Sequence, residues 1–397
     1  MTTSSFFPQP IYSVPGSSAA VPRVLVAPPR YIQGPEALDS VGRYLSIVGI
    51  KRAAIYASAR GLAAEGARVT HSLEQQGMST CVSQFPGECS LVAIEAAATE
   101  LAGEQIDCLI AVGGGKCVDA GKCVAYRLGV PVIVVPTLAS NDAPCSALSV
   151  LYTEAGVVSG VEFFPQHPAF VIIDTQVVAK ASERYLVAGM GDAMATWYEA
   201  KVCLDNPDAR TAIGARPTLA AAAIGETCAS TLFKHGLKAA DAVRRSQVDD
   251  DLECVVEANT LLSGVGFESG GLAAAHGLAG GLTSIASVEE NFLHGEMVAA
   301  GVLMQLMLQQ NREEAMRVAR FFAAVGLPVT LQQIGLTRTC ETDLRRAAEE
   351  TATYLFITNL PFKVTTEMVF EAILAADEVG AAVLDEIGDS AYRRIQS

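Results

Sequence analysis

Between Arg23 and about Asp174, short unbroken apolar runs alternate with amphipathic stretches. The runs are VLVA at 24–27, RAAIYA at 52–57, TCVSQF at 80–85, DCLIAV at 107–112, VPVIVVPT at 130–137 and FVIIDT at 170–175. Helical patterns fall between them, in LDSVGRYLSIVG, in a stretch ending about Gln76, from Leu91 to Ala102, and in KCVDAGKCVAYRLG. Strands apolar on both faces and joined by helices predict a parallel sheet covered on both sides. Past Asp174 the pattern changes to Ala/Leu/Glu periodicity, with helices expected at 183–203, 217–234, 249–265, 295–323, 342–353 and 366–377. The change sets a domain boundary near Ala181. The expected architecture is an N-terminal Rossmann-like α/β domain over 23–180 and an all-helical C-terminal domain over 181–397. The active site is expected in the cleft between the two, where cofactor enzymes commonly bind their ligands. Residues 1–22, rich in Ser, Pro and Ala and without a charged side chain, read as a flexible or docking extension.

Composition narrows the function classes. Half of the 397 residues are hydrophobic and only 18% are charged, as in a well-buried globular protein. A net charge of −15 and the lack of a Lys/Arg cluster argue against nucleic acid as a partner. Apolar runs such as VIVV at 132–135 fall well short of the roughly 18 residues a membrane span needs, so no membrane partner is expected. The ten cysteines are scattered without a CxxC pair, which fits reduced thiols in a cytoplasmic enzyme. The uncharged N-terminal stretch lacks the basic start of a targeting signal, and its lack of acidic residues leaves an organelle address open.

Two stretches of the predicted sheet domain carry candidate ligand chemistry. DCLIAV runs into Gly113, Gly114 and Gly115 and then a helix, so that backbone N–H groups and the positive end of the helix dipole could face a pyrophosphate. The motif is not GxGxxG, since Val118 stands at the third glycine, nor a Walker A loop, since Ile110 stands at its first. Tight packing alone also explains such a turn. Thr137, Ser140, Asn141 and Asp142 gather after the next strand, at the carboxyl end where open α/β sheets bind ligands, or as a plain polar turn.

Two of the five histidines lie in the stretch from Ser263 to Glu296. His276 is read as ending one Ala-rich helix and His294 as starting another, with a Gly-rich turn at Gly280 and Gly281 between them. Two imidazoles at facing helix termini could share a cation, with Asp192, read near the start of an apolar helix, as third ligand. Two His and one Asp with an open position suit catalytic zinc or non-haem iron(II). Read alone, such residues are more often an Asp helix cap and histidines satisfied within the core than a metal site.

The motifs GGGKxxDxxK, PTxASxDAPCSALSVxYT, EANTLLSGxGFESGGLAAAH, HGE and PFKVT resemble those of the metal-dependent (iron-containing) alcohol dehydrogenase family, from about Ala27 to about Asp377. The resemblance implies a dehydroquinate synthase-like fold and NAD-dependent oxidation of glycerol to dihydroxyacetone, or of another vicinal diol. It also implies that Asp192, His276 and His294 hold the metal, that Asp142 hydrogen-bonds the polyol and that Phe267 forms part of the substrate wall. Gly113, Gly114, Gly115, Lys116, Cys117, Thr137, Leu138, Ala139, Ser140, Ser146, Leu148 and Tyr152 match the family's NAD contacts. A homo-oligomer is implied as well.

Family members that use iron resemble one another in a fourth ligand, a His four residues after the Asp. Here that position is Thr196, so the resemblance favours one zinc per subunit over iron(II). Members commonly carry an Asp after the second strand for the adenosine ribose. Here Ala57, Ser58, Ala59 and Arg60 follow, which leaves NADP open while the rest of the match favours NAD. In the implied chemistry the metal lowers the pKa of a bound substrate hydroxyl, and hydride passes to the nicotinamide. No Tyr-x-x-x-Lys pair exists for a metal-free alternative. A lyase resembling dehydroquinate synthase shares the architecture, but its sugar-phosphate substrate calls for Lys and Arg, which the stretch from Ser263 to Glu296 lacks. A non-catalytic metabolite-binding protein of the same fold is the third reading.

Overall fold

The structure, a computed structural model, describes residues 6–14, 16 and 20–397. Of the expected N-terminal extension, residues 1–5, 15 and 17–19 lie outside the described residues. Among the others, Gln9–Tyr12 forms a helical turn, and the Gln9 amide donates to the Ala212 carbonyl at 2.7 Å. Two compact units divide the chain. Ala27–Ala181 and Ala242–Glu253 lie in the first; Ser182–Asp241 and Cys254–Ser397 lie in the second.

The strands, in chain order, are β1 (Tyr31–Gly34), β2 (Arg52–Ala57), β3 (Ser79–Gln84), β4 (Cys108–Gly113), β5 (Val132–Pro136), β6 (Leu148–Tyr152), β7 (Val158–Phe163) and β8 (Phe170–Asp174). Six of them form one parallel sheet in the order β1-β8-β5-β4-β2-β3. One sheet face presents Ile55, Ile110, Ile133, Val135 and Ile172 to Leu38, Val41, Leu45, Val69 and Leu73, all buried. The opposite face is covered by helix α1 (Gly115–Leu128), pressed so close that a Cβ at Gly121 would lie 2.4 Å from Ala111 Cβ. With both faces buried, the strands read as continuous apolar runs. The winding direction reverses between β2 and β4, so the glycine turn that ends β4 sits where doubly wound sheets take their ligands.

The expected strand VLVA is not in this sheet. Val24 N–H bonds the Arg216 carbonyl at 3.2 Å, while Val26 N–H and C=O both pair with Ser269 Oγ, at 2.9 and 3.0 Å. Pro28 and Pro29 follow at once, and a ring without N–H cannot continue a ladder, so pairing starts again at Tyr31. Past the polar turn at 137–142 the chain forms β6, paired antiparallel with β7, a strand the apolar pattern does not single out.

The second unit is helical: α2 (Glu183–Asp205), α3 (Ser263–Gly270), α4 (Ala274–Thr283) and α5 (His294–Leu308) position the chemistry. Three local expectations change. Asp192 lies in the middle of α2, His276 in the first turn of α4, and Gly280 and Gly281 inside α4 rather than in a turn. A side chain at Gly281 would place Cβ 2.5 Å from the Ala347 carbonyl, so glycine there serves helix packing. The single helix expected over 295–323 is broken into α5 and Arg312–Val325, because Gln310 adopts φ 57° and Asn311 caps the second piece by accepting from Glu314 N–H. No helix among the described residues is long and apolar enough to cross a membrane.

Candidate metal centre and nucleotide loop

Helices α2, α4 and α5 meet through glycine. A Cβ at Gly191 would lie 2.2 Å from the Gly295 carbonyl, and one at Gly295 would lie 1.8 Å from the Ala188 carbonyl, so α2 and α5 touch backbone to backbone. A Cβ at Gly301 would lie 2.1 Å from the Ala275 carbonyl, which brings α5 equally close to α4. Each contact adjoins a candidate ligand: Asp192 follows Gly191, His294 precedes Gly295 and His276 follows Ala275.

The ligand atoms of Asp192, His276 and His294 consequently lie within 4.8 Å of one another. His276 Nε2 is 3.4 Å and His294 Nε2 3.5 Å from Asp192 Oδ1, with the two rings 5.7 Å apart between centroids. The Asp192 side chain is fully buried, whereas half of the His294 side chain reaches solvent. The site is thus anchored inside and open on one side. Glu199, also fully buried, faces the other nitrogen of His276: its Oε2 is 2.6 Å from Nδ1.

The local electrostatics suit a dication. Burial favours the neutral form of both imidazoles. For His294 it prevails, aided by the neighbouring His276, and the pKa is lowered. For His276 the Glu199 and Asp192 carboxylates outweigh it and hold the ring protonated well above the ordinary imidazole value. Two buried acids therefore concentrate negative potential at the point where two imidazole nitrogens converge. A carboxylate oxygen and two Nε2 atoms are the donor set of an open catalytic zinc or iron(II) site, so the residues fit the metal the sequence implies.

The first unit gathers the predicted nucleotide residues. Thr137 N–H bonds the Gly113 carbonyl at 3.0 Å. Leu138 Cδ1 would lie 3.3 Å from a Cβ at Gly114, and Asn141 Nδ2 2.6 Å from one at Gly115. Gly114 is the N-cap of α1, in extended conformation and with no side chain to cap the helix N–H groups. Lys116 lies 2.8 Å from Glu88 and 4.6 Å from the centre of the Tyr152 ring. Cys117 and Ala139 are buried, and Ser140 lies 3.4 Å from the Asn141 amide. Asp142 occupies the N-cap of the turn Ala143–Cys145. Ser146 and Leu148 are tied to α1 by Lys122, whose ammonium donates to the Ala143 carbonyl at 2.9 Å, the Ser146 hydroxyl at 3.3 Å and the Leu148 carbonyl. Asp119 pairs with Lys122 at 2.8 Å.

Comparison with known proteins shows the family. Residues 28–175 match the model of the family described as "Iron-containing alcohol dehydrogenase". The chain is 41% identical to the glycerol dehydrogenase of Escherichia coli O6:H1 over 92% of its own length and 99% of that protein's. The chain belongs to the iron-containing alcohol dehydrogenase family. Another relative, the glycolaldehyde reductase of Halobacterium salinarum, is 39% identical over 91% of this chain and 99% of that one. The crystal structure of glycerol dehydrogenase from Schizosaccharomyces pombe superposes with a TM-score of 0.88 at 33% identity, covering 92% and 93% of the two chains.

In this member of the family, Thr196 stays out of the candidate ligand cluster, its hydroxyl bonded to Ser263 Oγ at 3.0 Å. Phe267 is buried in α3, a helix entered through a π-turn at Ala258–Leu262. Sequence reasoning missed Glu199 and Gln305. Gln305 Oε1 accepts Ala274 and Ala275 N–H at 2.9 and 3.0 Å, and Glu199 Oε1 accepts Ala273 and His276 N–H at 2.8 and 3.0 Å. The one signal for Glu199 was its place seven residues beyond Asp192 on a predicted helix, two turns along the same face. Glu296 of the HGE motif accepts from Arg184 at 2.8 and 2.7 Å and from Leu293 N–H at 2.7 Å, fixing the start of α5 beside His294.

Proposed function

We propose that this chain oxidises glycerol to dihydroxyacetone, and reduces it in reverse, with NAD as the hydride carrier and one zinc ion held by Asp192, His276 and His294. The observation that carries the reading is the approach of two imidazole Nε2 atoms to within 3.4 and 3.5 Å of one buried carboxylate oxygen. The identity to relatives that act on short polyols and hydroxyaldehydes supports the substrate class.

A divalent metal supplies a Lewis acid that lowers the pKa of a substrate hydroxyl. Asp192 and the two histidines would hold it, and the solvent-open side at His294 leaves room for the hydroxyl. We assign Asp142 to the polyol hydroxyls and Phe267 to the apolar wall. The glycine turn Gly113–Gly115 and the N-terminus of α1 take the pyrophosphate, with Thr137, Ser146, Leu148 and Tyr152 on the rest of the nucleotide. Zinc is favoured over iron(II) because Thr196 is bonded to Ser263 and supplies no fourth ligand. For the adenosine ribose, β2 ends at Ala57 without a carboxylate, and the Arg60 side chain is 80% exposed, so NADP is the competitor to exclude. A homo-oligomer in the reducing cytoplasm completes the reading, in keeping with ten free thiols.

The test is the appearance of reduced nicotinamide at alkaline pH with glycerol and NAD. It is repeated with NADP, after chelation, and after zinc or iron(II) is added back, and the reverse reaction is followed as the loss of supplied reduced nicotinamide with glycolaldehyde. Turnover of glycerol with NAD, lost on chelation and restored by zinc, supports the proposal. Restoration by iron alone overturns the metal, turnover with NADP alone overturns the cofactor, and turnover of glycolaldehyde without glycerol overturns the substrate.

A further inference from the structure

We propose that Glu199 is a positioning residue of the metal centre, one that fixes the His276 ring with its proton on Nδ1 so that Nε2 is kept as the ligand atom. The inference rests on the reading of Asp192, His276 and His294 as the metal ligands and extends it to a residue with no place in that set.

The geometry divides the Glu199 carboxylate between two tasks. Oε1 accepts the backbone N–H groups of Ala273 and His276, at 2.8 and 3.0 Å. Gln305 Oε1 accepts the two between them, Ala274 and Ala275. The first turn of α4 is therefore pinned by two buried side chains, and with it the backbone of His276. Oε2 lies 2.6 Å from His276 Nδ1. A carboxylate oxygen accepts, so Nδ1 donates, and a ring whose one remaining proton is on Nδ1 keeps its lone pair on Nε2, 3.4 Å from Asp192 Oδ1. One buried acid thus sets the position, the orientation and the tautomer of this ligand. A carboxylate behind a metal-binding imidazole acts in the same way in other metal centres.

A plain helix-capping role predicts something different, and Glu199→Gln separates the two. The amide keeps a carbonyl oxygen for the backbone donors, so the cap survives. It turns an NH2 group toward Nδ1, which must then accept, and the proton moves to Nε2, where it blocks the ligand atom. The experiment compares wild type, Glu199→Gln, Glu199→Ala and Asp192→Asn as full chains stripped of metal. Zinc affinity is read by competition with a chromophoric chelator, and thermal unfolding is read without metal.

Glu199→Gln is expected to bind zinc about 10- to 100-fold more weakly than wild type while its metal-free form, which keeps the backbone cap, is destabilised clearly less than Glu199→Ala. Glu199→Ala is expected to lose both affinity and stability. Zinc affinity within about twofold of wild type in Glu199→Gln overturns the inference, as does a loss accompanied by the same destabilisation as in Glu199→Ala. Asp192→Asn distinguishes the levels. Unchanged zinc affinity there overturns the ligand set itself, whereas weakened binding in Asp192→Asn with wild-type binding in Glu199→Gln removes only the role of Glu199.

Discussion

Thr196 Oγ1 lies 3.0 Å from Ser263 Oγ, a fully buried contact between α2 and α3 one helical turn beyond Asp192. The Thr196 methyl also fills the space beside Gly266, where a Cβ would come within 2.3 Å of it. The residue therefore belongs to the packing around the candidate ligands and not to their cluster. Thr196→Val is expected to leave zinc affinity within about twofold of wild type and to lower stability by about 1 kcal/mol through the lost hydroxyl pair. Chelator competition and denaturant unfolding check both; a large loss of zinc would make Thr196 a ligand.

The glycine contacts predict a graded series. Gly295→Ala forces a methyl into the Ala188 carbonyl, for which α2 and α5 must separate. Such overpacking costs about 1–3 kcal/mol or more, and it should weaken zinc binding as well, because Asp192 and His294 flank the contact. Gly280→Ala meets nothing within 4 Å, although it lies in the same stretch. It should stabilise α4 by about 0.4–1 kcal/mol with zinc affinity unchanged. Paired unfolding and zinc titrations of the two variants decide it.

In the sheet unit, Lys122→Met removes the cation from a buried pair with Asp119 and the donor that holds Ser146 and Leu148. An uncompensated buried charge costs about 3–5 kcal/mol. The expected outcome is a lower unfolding midpoint, and NAD binding, followed by fluorescence, weaker than in wild type even at temperatures where the variant is folded.

Burial pushes the thiols of Cys108 and Cys117 up to about 12. A raised thiol pKa leaves almost no thiolate at pH 8, and the thiolate is the reactive form. In the folded chain iodoacetamide should spare both residues up to pH 9, and after denaturation both should react. Peptide mass mapping reads the pattern; rapid folded-state labelling of Cys117 would contradict the packing of α1 on β4.

Much of the sheet unit was legible because strands buried on both faces leave unbroken apolar runs. RAAIYA is β2 to the residue. VLVA failed because an apolar run does not announce its hydrogen-bond partner, here the Ser269 hydroxyl far along the chain. In the helical unit the three candidate ligands came from residue type and family resemblance; Asp192, read near a helix start, stands mid-helix because α2 begins at Glu183 under the Ser182 cap, where the helix was expected to begin. Glu199 was not singled out, since a lone Glu on a predicted helix reads as surface until its burial against His276 is seen.

Whether two imidazoles and one carboxylate hold the metal is read most directly by X-ray absorption at the zinc edge of the zinc-loaded full chain. The account predicts two imidazole scatterers at about 2.0–2.1 Å with oxygen in the remaining positions and no sulfur. Sulfur at about 2.3 Å, or fewer than two imidazoles, would place the zinc elsewhere and contradict the account.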